Sequence, residues 1–153
     1  EIVGLPMKAA RTRARELLNL VGLAGYEDKY PQQLSGGMQQ RTAIARAFIH
    51  DPKLILMDEP FGALDALTRE QMNLEMLRIW RESGKTILFV THSIQEAVFL
   101  ASHCAVLTAG PARMAEYFPI ELPFPRDLPI KTTDEFGAYA RRIYASLGLS
   151  TGA

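Results

Sequence analysis

Two short, almost uninterrupted apolar runs constrain this chain more than any other feature. They are Leu54-Ile55-Leu56-Met57 and Thr86-Ile87-Leu88-Phe89-Val90. Neither alternates with polar residues as a half-exposed strand does, so each is expected to be a buried parallel strand covered by helices. Between them lies a helical stretch over 66–82, with Leu67, Leu74, Leu77 and Trp80 expected inward and Gly84 as its stop. A third run, Cys104-Ala105-Val106-Leu107, follows a helix opened by Ser93 with Glu96 three residues on, the pattern of a capping box. Strand, helix, strand, helix, strand is an α/β arrangement with a mostly parallel sheet.

The flanks read differently. Residues 8–21 carry Ala10, Ala14, Leu17, Leu18 and Val21 on one helical face and Lys8, Arg11, Arg13 and Arg15 on the wet side, with Gly22 and Gly25 closing the helix. Tyr30-Pro31-Gln32-Gln33 is a connector, and a second helix is expected over 35–50, capped by Ser35 and ended by Asp51-Pro52. After Gly110 the prolines at 111, 119, 123, 125 and 129 leave room only for short extended pieces, at 113–118 and 120–122. Thr132 with Glu135 reads as a capping box for a last helix to about Leu147, with Phe136, Tyr139, Ile143 and Leu147 as its stripe. Within one domain this gives a helical part over 1–50, a central part over 51–110 and a tail over 111–153.

Composition narrows the classes. With 17 basic and 17 acidic residues the net charge is zero, which gives no electrostatic reason to expect nucleic acid as a partner. The single cysteine, Cys104, excludes an intrachain disulfide, reads as core and fits a reducing compartment. No apolar run reaches the roughly 18 residues a membrane helix needs.

Chemistry concentrates in two places. Leu54-Ile55-Leu56-Met57-Asp58-Glu59-Pro60 delivers two adjacent carboxylates at a strand end, where ligands of open α/β sheets bind. One carboxylate there can hold Mg²⁺, and its neighbour can polarise an attacking water. Leu34-Ser35-Gly36-Gly37-Met38-Gln39-Gln40-Arg41 places two glycines and a hydroxyl at a helix N-terminus, where backbone N–H groups favour an anion.

These residues resemble the signature motif and Walker B motif of ABC ATPases. Phe61-Gly62-Ala63-Leu64-Asp65 is similar to the D-loop and Thr91-His92-Ser93 to the switch histidine of that family, in the same order. The resemblance implies a P-loop NTPase, RecA-like core, incomplete here, with part of the helical signature subdomain and a proline-rich, helical C-terminal tail. It implies ATP and Mg²⁺ as cofactors: Asp58 orienting the metal, Glu59 as general base, His92 at the γ-phosphate and Asp65 working across a dimer interface. Ser35, Gly36, Gly37 and Gln39 would meet ATP held by the partner subunit. The stretches 57–69 and 89–101, with Leu122-Pro123-Phe124-Pro125-Arg126-Asp127, look most like ATP-binding subunits of nitrate, sulfonate and taurine importers. Implied partners are a second ATPase subunit in a head-to-tail dimer, transmembrane permease subunits and, indirectly, a periplasmic or extracellular solute-binding protein. The implied location is peripheral, on the cytoplasmic face of the inner membrane.

A Walker A loop, Gly-x-x-x-x-Gly-Lys-[Ser/Thr], is not present in the 153 residues. Gly84-Lys85-Thr86 has Ile79 where the first glycine belongs and sits between a helix and a strand in the wrong order. Nothing before Leu34 resembles the family's Q-loop. The chain is therefore expected to be the C-terminal part of an ABC ATPase and inactive alone. Two other readings are a non-catalytic module that offers signature and D-loop surfaces in trans, and a soluble ABC ATPase outside transport.

Overall fold

The computed structural model describes residues 6–62 and 64–149. They form two compact units that meet in sequence between Val90 and Thr91.

The first unit contains α1 (Met7–Leu20), a 3₁₀ turn (Pro31–Gln33), α2 (Gly36–Phe48), β1 (Leu54–Asp58), α3 (Ala66–Ser83) and β2 (Thr86–Val90). Its core is aliphatic and aromatic: Leu17, Val21, Leu23, Ile44, Phe48, Ile55, Phe61, Met72, Met76 and Ile79 are all buried. The last carbonyls of a helix lack partners within it. The Arg78 guanidinium on α3 takes up the carbonyl of Leu20 at the end of α1 while also binding Glu75 and Glu82. Gly84 ends α3 in the left-handed region, at φ +63°, where a residue without Cβ is unstrained.

The inward face of α3 differs from the sequence expectation. Met72, Asn73, Met76, Leu77 and Ile79 are buried, whereas Leu67 is 78% exposed. Leu67 lies five residues before Met72, roughly 140° around the helix, so it cannot share the stripe that Met72, Met76 and Ile79 define.

β1 and β2 are parallel and pair Leu54 with Thr86 through to Asp58 with Val90. Hydrogen bonds from Thr86 N–H to Lys53 and from Glu59 N–H to Val90 extend the ladder at both ends. Ile55 and Met57 are buried on one face, while Leu54, Leu56, Leu88 and Val90 on the other are more than half exposed. The expected burial of both strand faces therefore holds for one face among the described residues.

The second unit contains α4 (Ile94–Leu100), β3 (His103–Leu107), β4 (Met114–Pro119), a 3₁₀ turn (Leu128–Thr132) and α5 (Asp134–Ser146). The expectation of a mostly parallel sheet is modified here, because β3 pairs antiparallel with β4, from His103 opposite Pro119 to Leu107 opposite Met114. The connection is short. Thr108 N–H bonds the Arg113 carbonyl and Arg113 N–H bonds the Thr108 hydroxyl, closing a hairpin. A loop of that length permits only an antiparallel return.

The last helix starts one residue later than its sequence pattern indicates. Thr133, not Thr132, is the N-cap, and its hydroxyl accepts from Phe136 N–H. Thr132 ends the preceding 3₁₀ turn, with its hydroxyl donating to Pro129. Phe136, Ala140 and Ile143 form the buried stripe, and Leu147 at the C-cap is exposed. Tyr139 is half-buried, its ring stacked on Phe118 and its hydroxyl accepting from Glu121 N–H. Losing an N-cap hydroxyl costs about 1 kcal/mol. Thr133→Ala should lower unfolding free energy by about that much in urea titrations, and Thr132→Ala by clearly less. Equal effects would put the cap elsewhere.

Candidate functional site

β1 ends at Asp58, and the chain turns at once. Glu59 has φ +43°, in the left-handed region that non-glycine residues rarely enter. Such a conformation costs about 1–3 kcal/mol and needs to be held from outside. Three features hold it. Glu59 N–H donates to the Val90 carbonyl at 2.8 Å, and Gly62 N–H closes the turn on the Glu59 carbonyl at 3.1 Å. Phe61, with no exposed surface, packs its ring 5.5 Å from that of Phe89 on β2. Asp58 and Glu59 are exposed at the open end of this ladder.

Gly62 is placed against the same turn. A Cβ there would lie 3.5 Å from the Glu59 carbonyl oxygen and from its Oε2. The Glu59 carboxylate thus folds over Gly62. Ala63, the next residue, lies outside the described residues.

Asp65 caps α3, its Oδ1 accepting from Leu67 N–H and Thr68 N–H at 3.1 Å each. Hydrogen bonding from the Thr68 side chain, and then from the backbone of Thr68, holds the Asp65 carboxyl below the usual range. Arg69 adds a bond to the Leu64 carbonyl, which fixes the loop leading into the helix.

Ser35 caps α2, its hydroxyl accepting from Met38 N–H at 3.3 Å. The Gln39 amide turns back and donates to the carbonyls of Pro31 and Leu34, tying the 3₁₀ turn to the start of the helix. Gln39 thus positions the loop before the two glycines. A Cβ on Gly36 would meet nothing within 4 Å, and one on Gly37 would meet Thr68 Cγ2 at 3.3 Å. The N-terminal turns of α2 and α3 therefore lie side by side, and Gly36 borders open space.

In the second unit, Thr91, His92 and Ser93 lead into α4. The Thr91 hydroxyl donates to Glu96 Oε2 at 2.5 Å and accepts from Ser93 N–H, while Ser93 Oγ accepts from Glu96 N–H. Glu96 is buried and its carboxylate engages Thr91, so the expected capping box is made by three residues rather than two. His92 is exposed between them.

Lys85 belongs to none of this. Its ammonium pairs with Asp51 at 2.7 Å, and Arg13 approaches the same carboxylate at 3.6 Å. The sequence does not show the packing of Phe61 on Phe89, the Thr91–Glu96 link or the approach of Thr68 to Gly37. Phe61 had a visible signal, an aromatic residue directly after a Glu-Pro turn. The other two contacts involve polar residues whose partners only the fold supplies.

Residues 5–62 match the model of the ABC transporter family. An uncharacterized ABC transporter ATP-binding protein of Methanocaldococcus jannaschii is 50% identical over 94% of this chain and 52% of its own length. The chain is thus similar, over most of its length, to ATP-binding proteins of ABC transporters. A taurine import ATP-binding protein of Yersinia pestis is 54% identical over 76% of this chain and 46% of its own. The structure of cbiO1 from Clostridium perfringens, part of the ABC transporter complex cbiONQ, superposes with a TM-score of 0.62 at 29% identity. That match covers 68% of this chain and 41% of the other. The chain spans about half the length of the curated relatives it matches.

The depressed Asp65 carboxyl fixes a pH signature. Its unfolded value is about 3.9, so the stabilisation is complete above that pH and is lost as pH falls through the lower folded value. Asp65→Asn should therefore leave stability less dependent on pH below about 4, read as urea midpoints across an acid series. Parallel curves for the two proteins would remove Asp65 from that role.

Proposed function

We propose that the chain carries the signature, Walker B, D-loop and switch elements of a subunit that hydrolyses ATP to energise solute uptake. The observation carrying this reading is the end of β1, where Asp58 and Glu59 stand exposed and Glu59 is held at φ +43°. Strained, externally held backbone is concentrated at functional sites. Glu59 is the general base toward water, and Asp58 is the Mg²⁺ ligand, directly or through water.

The donor chemistry fits the metal. Carboxylate oxygens are the donors Mg²⁺ prefers, and the ion is usually held by one or two carboxylates with phosphates and waters. When bound, Mg²⁺ offsets the charge of the phosphates. The open space over Gly36 at the start of α2 supports an approach of ATP phosphates to the helix N-terminus. Ser35, Gly36, Gly37 and Gln39 serve ATP bound by a second subunit in a head-to-tail dimer, Asp65 acts across that interface, and His92 meets the γ-phosphate.

The solute class follows the relatives and is of the nitrate, sulfonate or taurine type. Permease subunits carry the solute, supplied by a solute-binding protein, and the ATPase docks on their cytoplasmic face. No helix among the described residues is long and apolar enough to cross a membrane. The three-part division at 50 and 110 assigns the signature to the first part and the catalytic carboxylates to the second.

A second reading, a module serving an intact partner without hydrolysing ATP itself, is favoured by Lys85, which is committed to Asp51. The two readings separate in a fusion that supplies a phosphate loop ahead of residue 6. There, turnover should appear, and Glu59→Gln should lower it by roughly 10²–10⁴ while ATP binding persists. His92→Ala should also impair it at saturating ATP. No turnover in the fusion favours the second reading, and near-normal turnover in Glu59→Gln removes the general base.

Both readings require the signature to act in trans. Because Gly36 borders open space, Gly36→Asp should leave the melting temperature unchanged yet abolish ATP-dependent dimerisation on size-exclusion chromatography. Dimerisation that persists would contradict the assignment.

A further inference from the structure

The tail that composition marks as a proline-rich connector contains the most heavily engaged buried side chain of the second unit. Arg126 is 4% exposed. Its Nη1 donates to the carbonyls of Val98, Phe99 and Ala101, at 2.9, 3.0 and 2.9 Å. Its Nη2 donates to the carbonyls of Ile120 and Leu122, at 3.3 and 3.0 Å. Burial pushes its pKa down to about 10, so the group keeps its charge at neutral pH.

The first three of those carbonyls lie at the C-terminal end of α4. That end carries unsatisfied acceptors and a partial negative charge, which a guanidinium answers on both counts. α4 is only seven residues long, about 10 Å from end to end. At its other end stand Thr91, His92 and Ser93, of which Thr91 and Ser93 bind Glu96 in the helix's first turn. So short a helix is marginal by itself. Its placement comes from its packed face, where Val98 and Phe99 have no exposed surface, and from its two ends, and the polar group holding the far end is Arg126. Lys131 lies over the ring of Phe99 at 4.5 Å and adds a second cation at that end.

We infer that Arg126 is a positioning residue for His92: by binding the carbonyls at the end of α4 together with those of Ile120 and Leu122, it sets the placement of the short helix whose N-cap, Ser93, directly follows His92. This rests on the reading of His92 as the residue that meets the γ-phosphate. Lysine cannot substitute fully, because one ammonium offers three donors from a single atom, whereas the planar fork reaches two segments at once.

The test uses the 153-residue chain itself, as wild type, Arg126→Lys and Arg126→Gln, followed by hydrogen exchange with mass spectrometry. Peptides spanning 91–101 should exchange about tenfold faster or more in both variants, while those from β3–β4 and α5 stay within about twofold. Carbethoxylation of His92 by diethylpyrocarbonate should change relative to that of His103, which a general loosening would not produce. An unchanged 91–101 segment, or equal loosening of all segments, overturns the inference. If neither variant folds, the wild type decides. In rising urea, 91–101 and 120–127 should lose protection in one step, and persistence of 91–101 after 120–127 has opened overturns the assignment. The two failures are separable, since exchange reports on α4 whatever His92 does, and turnover in His92→Ala reports on His92 whatever holds α4.

Discussion

The parallel ladder between β1 and β2 is the constraint on which the arrangement of the carboxylates depends. It does not stop where the strand does. Glu59 N–H still reaches the Val90 carbonyl, one residue beyond the pairing of Asp58 with Val90. That extra bond holds the backbone at the point where it enters the left-handed region, and Phe61 against Phe89 holds it two residues later. Both anchors are on the neighbouring strand, so the geometry of the acidic turn on β1 is set largely by β2. A turn held in this way keeps Asp58 and Glu59 at the exposed end of the ladder by bonds that its own backbone makes.

The stretches that resemble the signature and the D-loop follow a related logic. Each opens a helix, α2 or α3, and each has its own N-cap, Ser35 or Asp65, taking up donors of the first turn. Thr68 against Gly37 sets the two helix starts side by side. The absence of a side chain at Gly37 makes that approach possible, while its absence at Gly36 leaves the backbone open. The two consecutive glycines thus do different work. Gln39, expected to meet ATP, is directed backward onto Pro31 and Leu34 and acts on the loop that presents the glycines.

Much of this was legible in the sequence because it is local. Apolar runs, caps and helix stops depend on residues a few positions apart, and α1, α2, β1, α3, β2 and β3 lie close to where the pattern puts them. The expected α/β class agrees with the solved ABC ATPase relatives. What was not legible depends on distant partners. The antiparallel return of β4 onto β3 could not be told from a parallel neighbour by an apolar pattern. The start of α5 was misplaced by one residue because Thr132 and Thr133 are equally good caps, and only the 3₁₀ turn ending at Thr132 decides between them. Leu67 was assigned inward by its residue type although its angular position opposes it. For the candidate site, the motif-like residues are local in sequence, whereas the contacts of Thr91 with Glu96 and of Phe61 with Phe89 depend on the fold.

Arg126 makes the same point from the side of energetics. A buried guanidinium is costly unless its charge and donors are satisfied. No carboxylate pairs with it among the described residues. Its two terminal nitrogens are answered instead by five carbonyl oxygens, three of them at the negative end of a helix, while the buried Nε has no hydrogen-bond partner among the described residues. The flanking prolines help explain why so many carbonyls converge. Pro123 and Pro125 have no N–H to donate, so this segment cannot join a regular ladder. The acceptors at Ile120 and Leu122 must then find a donor elsewhere, and a forked side chain supplies it. A chain segment poor in backbone donors and one planar cation thus stand in for a strand, and they do so at the end of the helix that begins beside His92.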